Sequence, residues 1–194
     1  MWGLQLWANL PASQKMIDPR YRDVQSRDIP EVALDGGSAA KVICGEAKGV
    51  RGPVTDIAID PLYLDIRVPA ETALRFPVKS SHKVIAYVIE GRAYFEEERD
   101  AYSYEVEGAN YFDFKRDCLT GPESAILFQD GEELAITTAS DPVRFLLISG
   151  KPLGEPVAWG GPIVMNTRAE LRTAFEEYEK GTFIKSEKQY RAKA

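Results

Sequence analysis

Leu62-Tyr63-Leu64-Asp65-Ile66-Arg67-Val68 alternates apolar and polar side chains without a break. Period two marks a strand with one buried face, so Leu62, Leu64, Ile66 and Val68 are placed inward and Tyr63, Asp65 and Arg67 outward. Asp60-Pro61 closes the stretch upstream as a turn. The same pattern extends in both directions. Strands are predicted at 40–44, 54–59, 83–89, 92–96, 102–105, 124–128, 133–138 and 143–149. Between them lie Asp35-Gly36-Gly37, Gly52-Pro53, Glu90-Gly91, Gly121-Pro122, Asp130-Gly131 and Asp141-Pro142, all read as turns. Short strands punctuated in this way predict an all-β sandwich or barrel.

The two ends read differently. Residues 1–30 are polar with scattered aromatics and predict an extended arm that packs on the barrel. Trp2, Leu4, Leu6 and Trp7 suggest a short strand within it. Aromatic side chains of this size gain most when buried, so the arm needs a surface to cover. At the other end the period changes to that of a helix. Thr167 and Glu170 form a capping-box pattern, Leu171, Ala174, Phe175 and Tyr178 recur at helical spacing, and Gly181 is a stop. One helix is expected over 168–180, with a polar tail after 186. The organisation is therefore an arm (1–30), a barrel (31–165) and a helix with tail (166–194).

Composition bounds the function. The chain has 194 residues, 44% hydrophobic and 28% charged, which is the globular range. No apolar run reaches the ~20 residues that cross a bilayer, so no membrane partner is expected. The net charge of −6 opposes direct binding of nucleic acid. Met1 to Trp7 has neither a basic nor a long apolar region, so no secretory signal is read there. Two cysteines, Cys44 and Cys118, without a CxxC, read as inert reduced thiols in the cytoplasm.

His82 is the single histidine. One imidazole cannot build a histidine-based metal site. Alternation places Ser80, His82, Val84, Ala86 and Val88 on one inward face, with His82 near the barrel mouth. Two readings stay open: a polar group contacting a ligand, a lone metal ligand or a general base, or a histidine satisfied by a neighbouring backbone carbonyl. Ser80, His82 and Val84 are the ligand-pocket candidates, in a lumen that small side chains leave partly open. No catalytic residue is assigned.

Other features carry less chemistry. Glu96-Glu97-Glu98 with Asp100 reads as a solvated run. Asp56, Asp60 and Asp65 surround one hairpin, and their pairing is not legible. The segment Gly45-Glu46-Ala47-Lys48-Gly49-Val50-Arg51-Gly52 lacks the ending and context of a phosphate-binding loop, and reads as a connection between strands. Trp159-Gly160-Gly161-Pro162 reads as a turn in which Trp159 plugs a gap. Lys185, Lys188, Arg191 and Lys193 read as a solvated basic end.

Several phrases occur together in order: Gly3-Leu-Gln-Leu-Trp-Ala-Asn-Leu-Pro11, Pro19-Arg-Tyr21, Pro61-Leu-Tyr-Leu-Asp65, Tyr87-Val-Ile-Glu-Gly91, Phe145-Leu-Leu-Ile-Ser-Gly-Lys-Pro-Leu153 and Gly161-Pro-Ile-Val-Met-Asn-Thr167. In these the chain resembles a pirin, of the cupin superfamily. The resemblance implies a cupin jelly roll and places the sequence at the second of two tandem barrels. The family's iron site, three histidines and a glutamate, and the quercetin dioxygenase activity attributed to some members belong to the first barrel. No iron ligand carries over. Aligning the general cupin pattern on Gly91 as its turn glycine places the glutamate position at Val84 and the two histidine positions near Ser80 and Val78. None of these side chains suits iron. The expectation is a domain with neither metal nor cofactor.

The resemblance also shapes the partners. A second barrel without a first exposes the surface between them, and large apolar patches seek partners. Trp2, Leu4, Leu6 and Trp7, at the junction, are the interface candidates, for a homodimer or for a metal-binding cupin. The leading expectation is a structural, interaction or regulatory module that docks another protein. One alternative is a quercetin dioxygenase half whose iron barrel comes from another chain. Others are a metal-free enzyme using His82 with Ser80 and Tyr87, and a small-molecule binder using the lumen.

Overall fold

The computed structural model describes residues 3–57, 59–97 and 118–185. The stretch from Leu62 to Val68 is a strand with the predicted bounds, and its neighbours assemble around it. In chain order the elements are β1 (Glu31–Ala33), β2 (Ala39–Cys44), β3 (Glu46–Ala47), β4 (Val50–Arg51), β5 (Leu62–Val68), β6 (Ala73–Pro77), β7 (Lys83–Tyr94), β8 (Ala125–Leu127), β9 (Glu133–Gly150), β10 (Ala158–Gly160), β11 (Ile163–Met165) and α1 (Arg168–Glu179). The main sheet runs β1-β2-β5-β9-β7-β8, with β6 also on β9, and every pairing within it is antiparallel. The order is open rather than closed on itself, as in a cupin-type sandwich, or jelly roll, with the helix α1 near the C-terminus.

β9 and β7 make the sheet fold over. The first half of β9 pairs with β6, and its second half lies between β5 and β7. Along β9 the inward residues are Leu134, Ile136 and Thr138, then Val143, Phe145 and Leu147. The inward set changes from even to odd numbers between them. β7 does the same, from Val84, Ala86 and Val88 to Ala93, followed by Phe95. A one-residue slip moves every side chain to the opposite face, and an extra bulged residue is how a strand makes that slip. Both strands can therefore feed one core from two directions. Leu64, Ile66, Leu74, Phe76, Ile136, Phe145 and Leu147 all belong to it.

The chain divides into two compact units. Residues 24–152 hold the main sheet, and residues 1–23 with 153–194 form the other. In the latter, Ile163 and Met165 of β11 pack against Ala174 of α1. Thr167 caps the helix by accepting from the Glu170 N–H at 3.2 Å, while the Glu170 carboxylate accepts from the Thr167 N–H at 2.8 Å. The helix closes with Thr182 N–H on the Glu177 carbonyl (2.8 Å) and Gly181 N–H on that of Tyr178 (3.1 Å), a Schellman ending. The capping box and glycine stop were both legible in the sequence.

Several expectations do not hold. Leu4 to Trp7 form no strand. The described residues of 54–59 form none either; a single parallel bridge joins Val54 to Cys44. The strands expected at 83–89 and 92–96 are joined in β7, and those at 133–138 and 143–149 in β9. Glu90-Gly91 and Asp141-Pro142 therefore lie inside strands rather than at hairpin turns. β6 was not anticipated. Trp159 plugs no gap: it is exposed, and its indole N–H donates to the Gly161 carbonyl at 2.7 Å. Trp2, residues 102–105, Glu98, Asp100, Lys188, Arg191 and Lys193 lie outside the described residues.

Candidate functional site

A cleft of about 660 Å³ opens at one end of the main sheet. Its walls come from 44–52, which carries the β3–β4 hairpin, from the connection that enters β5, and from the end of β6 with the turn that follows it. Leu62, Phe76 and Val78 supply apolar wall. His82 and Ser149 line its buried part.

His82 is held locally by the turn before β7, where its N–H donates to the Lys79 carbonyl at 2.9 Å. Its side chain is only 3% exposed. The imidazole Nδ1 lies 3.4 Å from the Ser149 Oγ of β9, a long contact between two buried side chains. Nε2 points to the Asp60 carboxylate at 3.6 Å, beyond hydrogen-bond distance. Asp60 is itself bonded to the Lys79 ammonium, and both are largely exposed, so this ion pair stands at the solvent side of the buried pair. Among the described residues no backbone carbonyl partners the ring, which faces a hydroxyl and a carboxylate.

Electrostatics follows from this placement. Burial pushes the His82 imidazole below its ordinary value, with Lys79 and then Lys151 adding to the effect and Asp60 opposing it. The hydrogen bond from Lys79 holds the Asp60 carboxyl below the usual carboxylate range. Burial pushes the Cys44 thiol up, which favours its protonated form.

The other candidates fall elsewhere. Ser80 is exposed in the turn before β7, not on the inward face. Val84 packs in the core with Ala86 and Val88, and none of the three lines the cleft. The lumen is thus occupied by core side chains at these positions. Val78, Ser80 and Val84 do not fit a histidine–glutamate iron set, because two are hydrocarbon and the third faces solvent. Asp65 does not pair with Asp56 or Asp60. It is buried on β5 and takes a two-pronged bond from Arg144, 2.9 Å from Nε and 2.8 Å from Nη2. Ser149, Lys79 and Asp60 are the site residues that sequence reasoning did not connect to His82. Lys79, three residues before it, was the one local signal.

A second feature is the outer face of the main sheet. Tyr63, Ile148, Ile85 and Leu127 stand opposite one another across β5, β9, β7 and β8. They form an apolar row along the strand order, and Leu127 is 71% exposed. In the other unit Leu4, Leu6 and Trp7 are exposed, Trp7 by 60%, together with Val157 and Trp159.

A folded-over antiparallel sheet with a cleft at one end defines this chain as a cupin. The Pirin C-terminal cupin domain matches residues 63–184, and the chain belongs to the pirin family. It is 35% identical over 185 residues to a pirin-like protein of Caulobacter vibrioides, covering 94% of this chain and 59% of that protein. To Pirin-1 of Arabidopsis thaliana it is 34% identical over 179 residues, covering 91% and 56%. The crystal structure of quercetin 2,3-dioxygenase from Acinetobacter baumannii superposes with a TM-score of 0.72 at 28% identity, covering 91% of this chain and 55% of that one. The chain thus spans between about half and two thirds of the length of the relatives it matches. Among the described residues, no helix is long and apolar enough to cross a membrane.

Proposed function

We propose that this chain is a pirin cupin domain without a metal site, acting as an interaction module with a structural or regulatory role. The supporting observation is the row Tyr63, Ile148, Ile85 and Leu127. A strand's outward residues are normally polar where they meet water, so an apolar outer row favours a covered face. The occupant is a second copy of this chain. Cys44 and Cys118 form no disulfide, which supports a reducing compartment, the cytoplasm.

Sedimentation velocity tests the reading. The expected result is a dimer in the tens of micromolar, converted to a monomer by Leu127→Asp with an unchanged melting temperature. A monomeric wild type overturns it, and so does a dimer that survives the substitution. Iron content after incubation with ferrous salt and desalting tests the other half. Near-zero iron is expected, because Val78, Ser80 and Val84 offer no ligand set; stoichiometric iron overturns it. Dioxygenase activity, named for the Acinetobacter relative, comes to this chain only through an iron-bearing cupin domain beside it.

A further inference from the structure

We propose that the cleft beside His82 binds a small uncharged alcohol of hydrocarbon character, its body against Leu62, Phe76 and Val78 and its hydroxyl between the His82 imidazole and the Asp60 carboxylate. Size is the first argument. About 660 Å³ falls within the roughly 300–1,000 Å³ typical of small-molecule sites, and such sites pair apolar walls with a few placed polar groups. Here Leu62, Phe76 and Val78 are the wall, and Asp60, His82 and Ser149 are the polar groups.

Charge is the second. The carboxylates of the lining, Glu46, Asp56 and Asp60, match its cations, Lys48, Arg51 and Lys79, in number. Each already has a partner. Arg51 bonds Glu46 at 2.8 Å, Lys79 bonds Asp60, and Lys48 lies 3.6 Å from Asp35. Asp56 accepts from the Thr55 hydroxyl at 3.2 Å. An anionic ligand would give up its hydration to face the Asp60 carboxylate, and a cationic one to face the Lys79 ammonium. An uncharged molecule avoids both costs.

Geometry is the third, and it specifies the head group. Nε2 of His82 and Oδ2 of Asp60 both line the cleft 3.6 Å apart, beyond a direct hydrogen bond. One oxygen can stand about 2.8 Å from each. Facing a carboxylate, Nε2 is the ring nitrogen that holds the proton. The bridging oxygen must therefore accept from the ring N–H and donate to the carboxylate. A hydroxyl does both with one atom, whereas a ketone only accepts and an ammonium only donates. Oδ2 also accepts from Lys79, and a carboxylate oxygen has a second lone pair for the ligand. On the other side of the ring the 3.4 Å contact with Ser149 persists, with Oγ as donor and Nδ1 as acceptor.

The single histidine makes the test direct, since its Hε1 proton gives one resonance in the full chain. The probes are cyclohexanol, cyclohexanone, cyclohexanecarboxylate and cyclohexylamine, which share a ring and differ in the head group. Cyclohexanol is expected to shift the His82 signal saturably. Cyclohexanone is expected to bind about tenfold more weakly, as fits loss of a hydrogen bond to a charged group, and the two ions not to bind. An unmoved signal with cyclohexanol overturns the proposal, as does an equal response to the ketone, the carboxylate or the amine. Asp60→Ala removes a largely exposed side chain, so its melting temperature is expected to stay unchanged. In that variant the alcohol and the ketone are expected to bind equally. A preference for the alcohol that survives the substitution also overturns the proposal.

Discussion

A β-carbon added to Gly91 would lie 1.7 Å from the carbonyl oxygen of Pro142. Gly91 sits at φ +73 where β7 shifts register, and Pro142 lies on β9 just before the point where its pairing resumes at Val143. The two strands switch faces at the same place, and their backbones touch because one of them has no side chain there. Gly91→Ala adds both a clash with backbone and a left-handed strain. The expected cost is about 3 kcal/mol or more, or failure to fold, read by urea unfolding. A loss below ~1 kcal/mol would show that the bulge relaxes at little cost.

Asp65 and Arg144 form another long-range tie across the sheet. Asp65 is buried, and its bond from Arg144 uses both carboxylate oxygens. Arg144→Met leaves a buried carboxylate without its partner, so a loss of about 2–4 kcal/mol is expected, discounted because Arg144 is partly exposed. Combining it with Asp65→Leu removes the orphaned charge. The double variant is expected to recover most of the loss in thermal unfolding, whereas a purely additive result would show that the pair acts through packing alone.

The outward prediction for Asp65 shows what a sequence can and cannot carry. Its period placed Leu64, Ile66 and Val68 inward correctly, because alternation is a local property. That Asp65 is buried depends on Arg144, almost eighty residues away. The same limit explains the broken strands. Gly91 and Pro142 are read as punctuation because each usually ends an element, and only their apposition turns them into a shared crossing. The N-terminal tryptophan and leucines suggested a strand, but no strand forms there, and Leu4, Leu6 and Trp7 remain exposed. The helix cap was legible since Thr167 and Glu170 complete it between themselves. At the cleft, His82 drew attention by being unique. Ser80 was grouped with it by extending strand parity into what is a turn, while Ser149 reaches it across the sheet and leaves no local trace.

Lys79 and Asp60 should move His82 in opposite directions. Lys79→Met removes the larger positive influence and leaves Asp60 opposed by Lys151 only, so the imidazole midpoint is expected to rise. Asp60→Asn leaves Lys79 and Lys151 unopposed, so it is expected to fall further. A proton NMR titration of the single histidine reads both. Shifts of the same sign in the two variants would rule out this arrangement of charges.

His82 also makes stability depend on pH, with a sign fixed by its burial. Its folded midpoint lies below the ordinary imidazole value near ~6.5, which the unfolded chain keeps. Between the two, the unfolded chain binds more protons than the folded one, so stability rises with pH through that window. The penalty is complete below the folded midpoint and absent above about 6.5. Asp60 acts in the acid range instead: its contribution is present above the ordinary carboxylate value and lost as pH falls through its lowered one, and it is small because the pair with Lys79 is exposed. His82→Gln carries no charge at any pH, and Asp60 is common to both proteins. The difference in unfolding free energy between wild type and variant, measured at about pH 8 and about pH 5, should therefore shift against the wild type on acidification. A difference that stays flat would mean the ring is protonated as readily in the folded protein as in the unfolded one. In that case the burial and the two lysines do not hold it neutral.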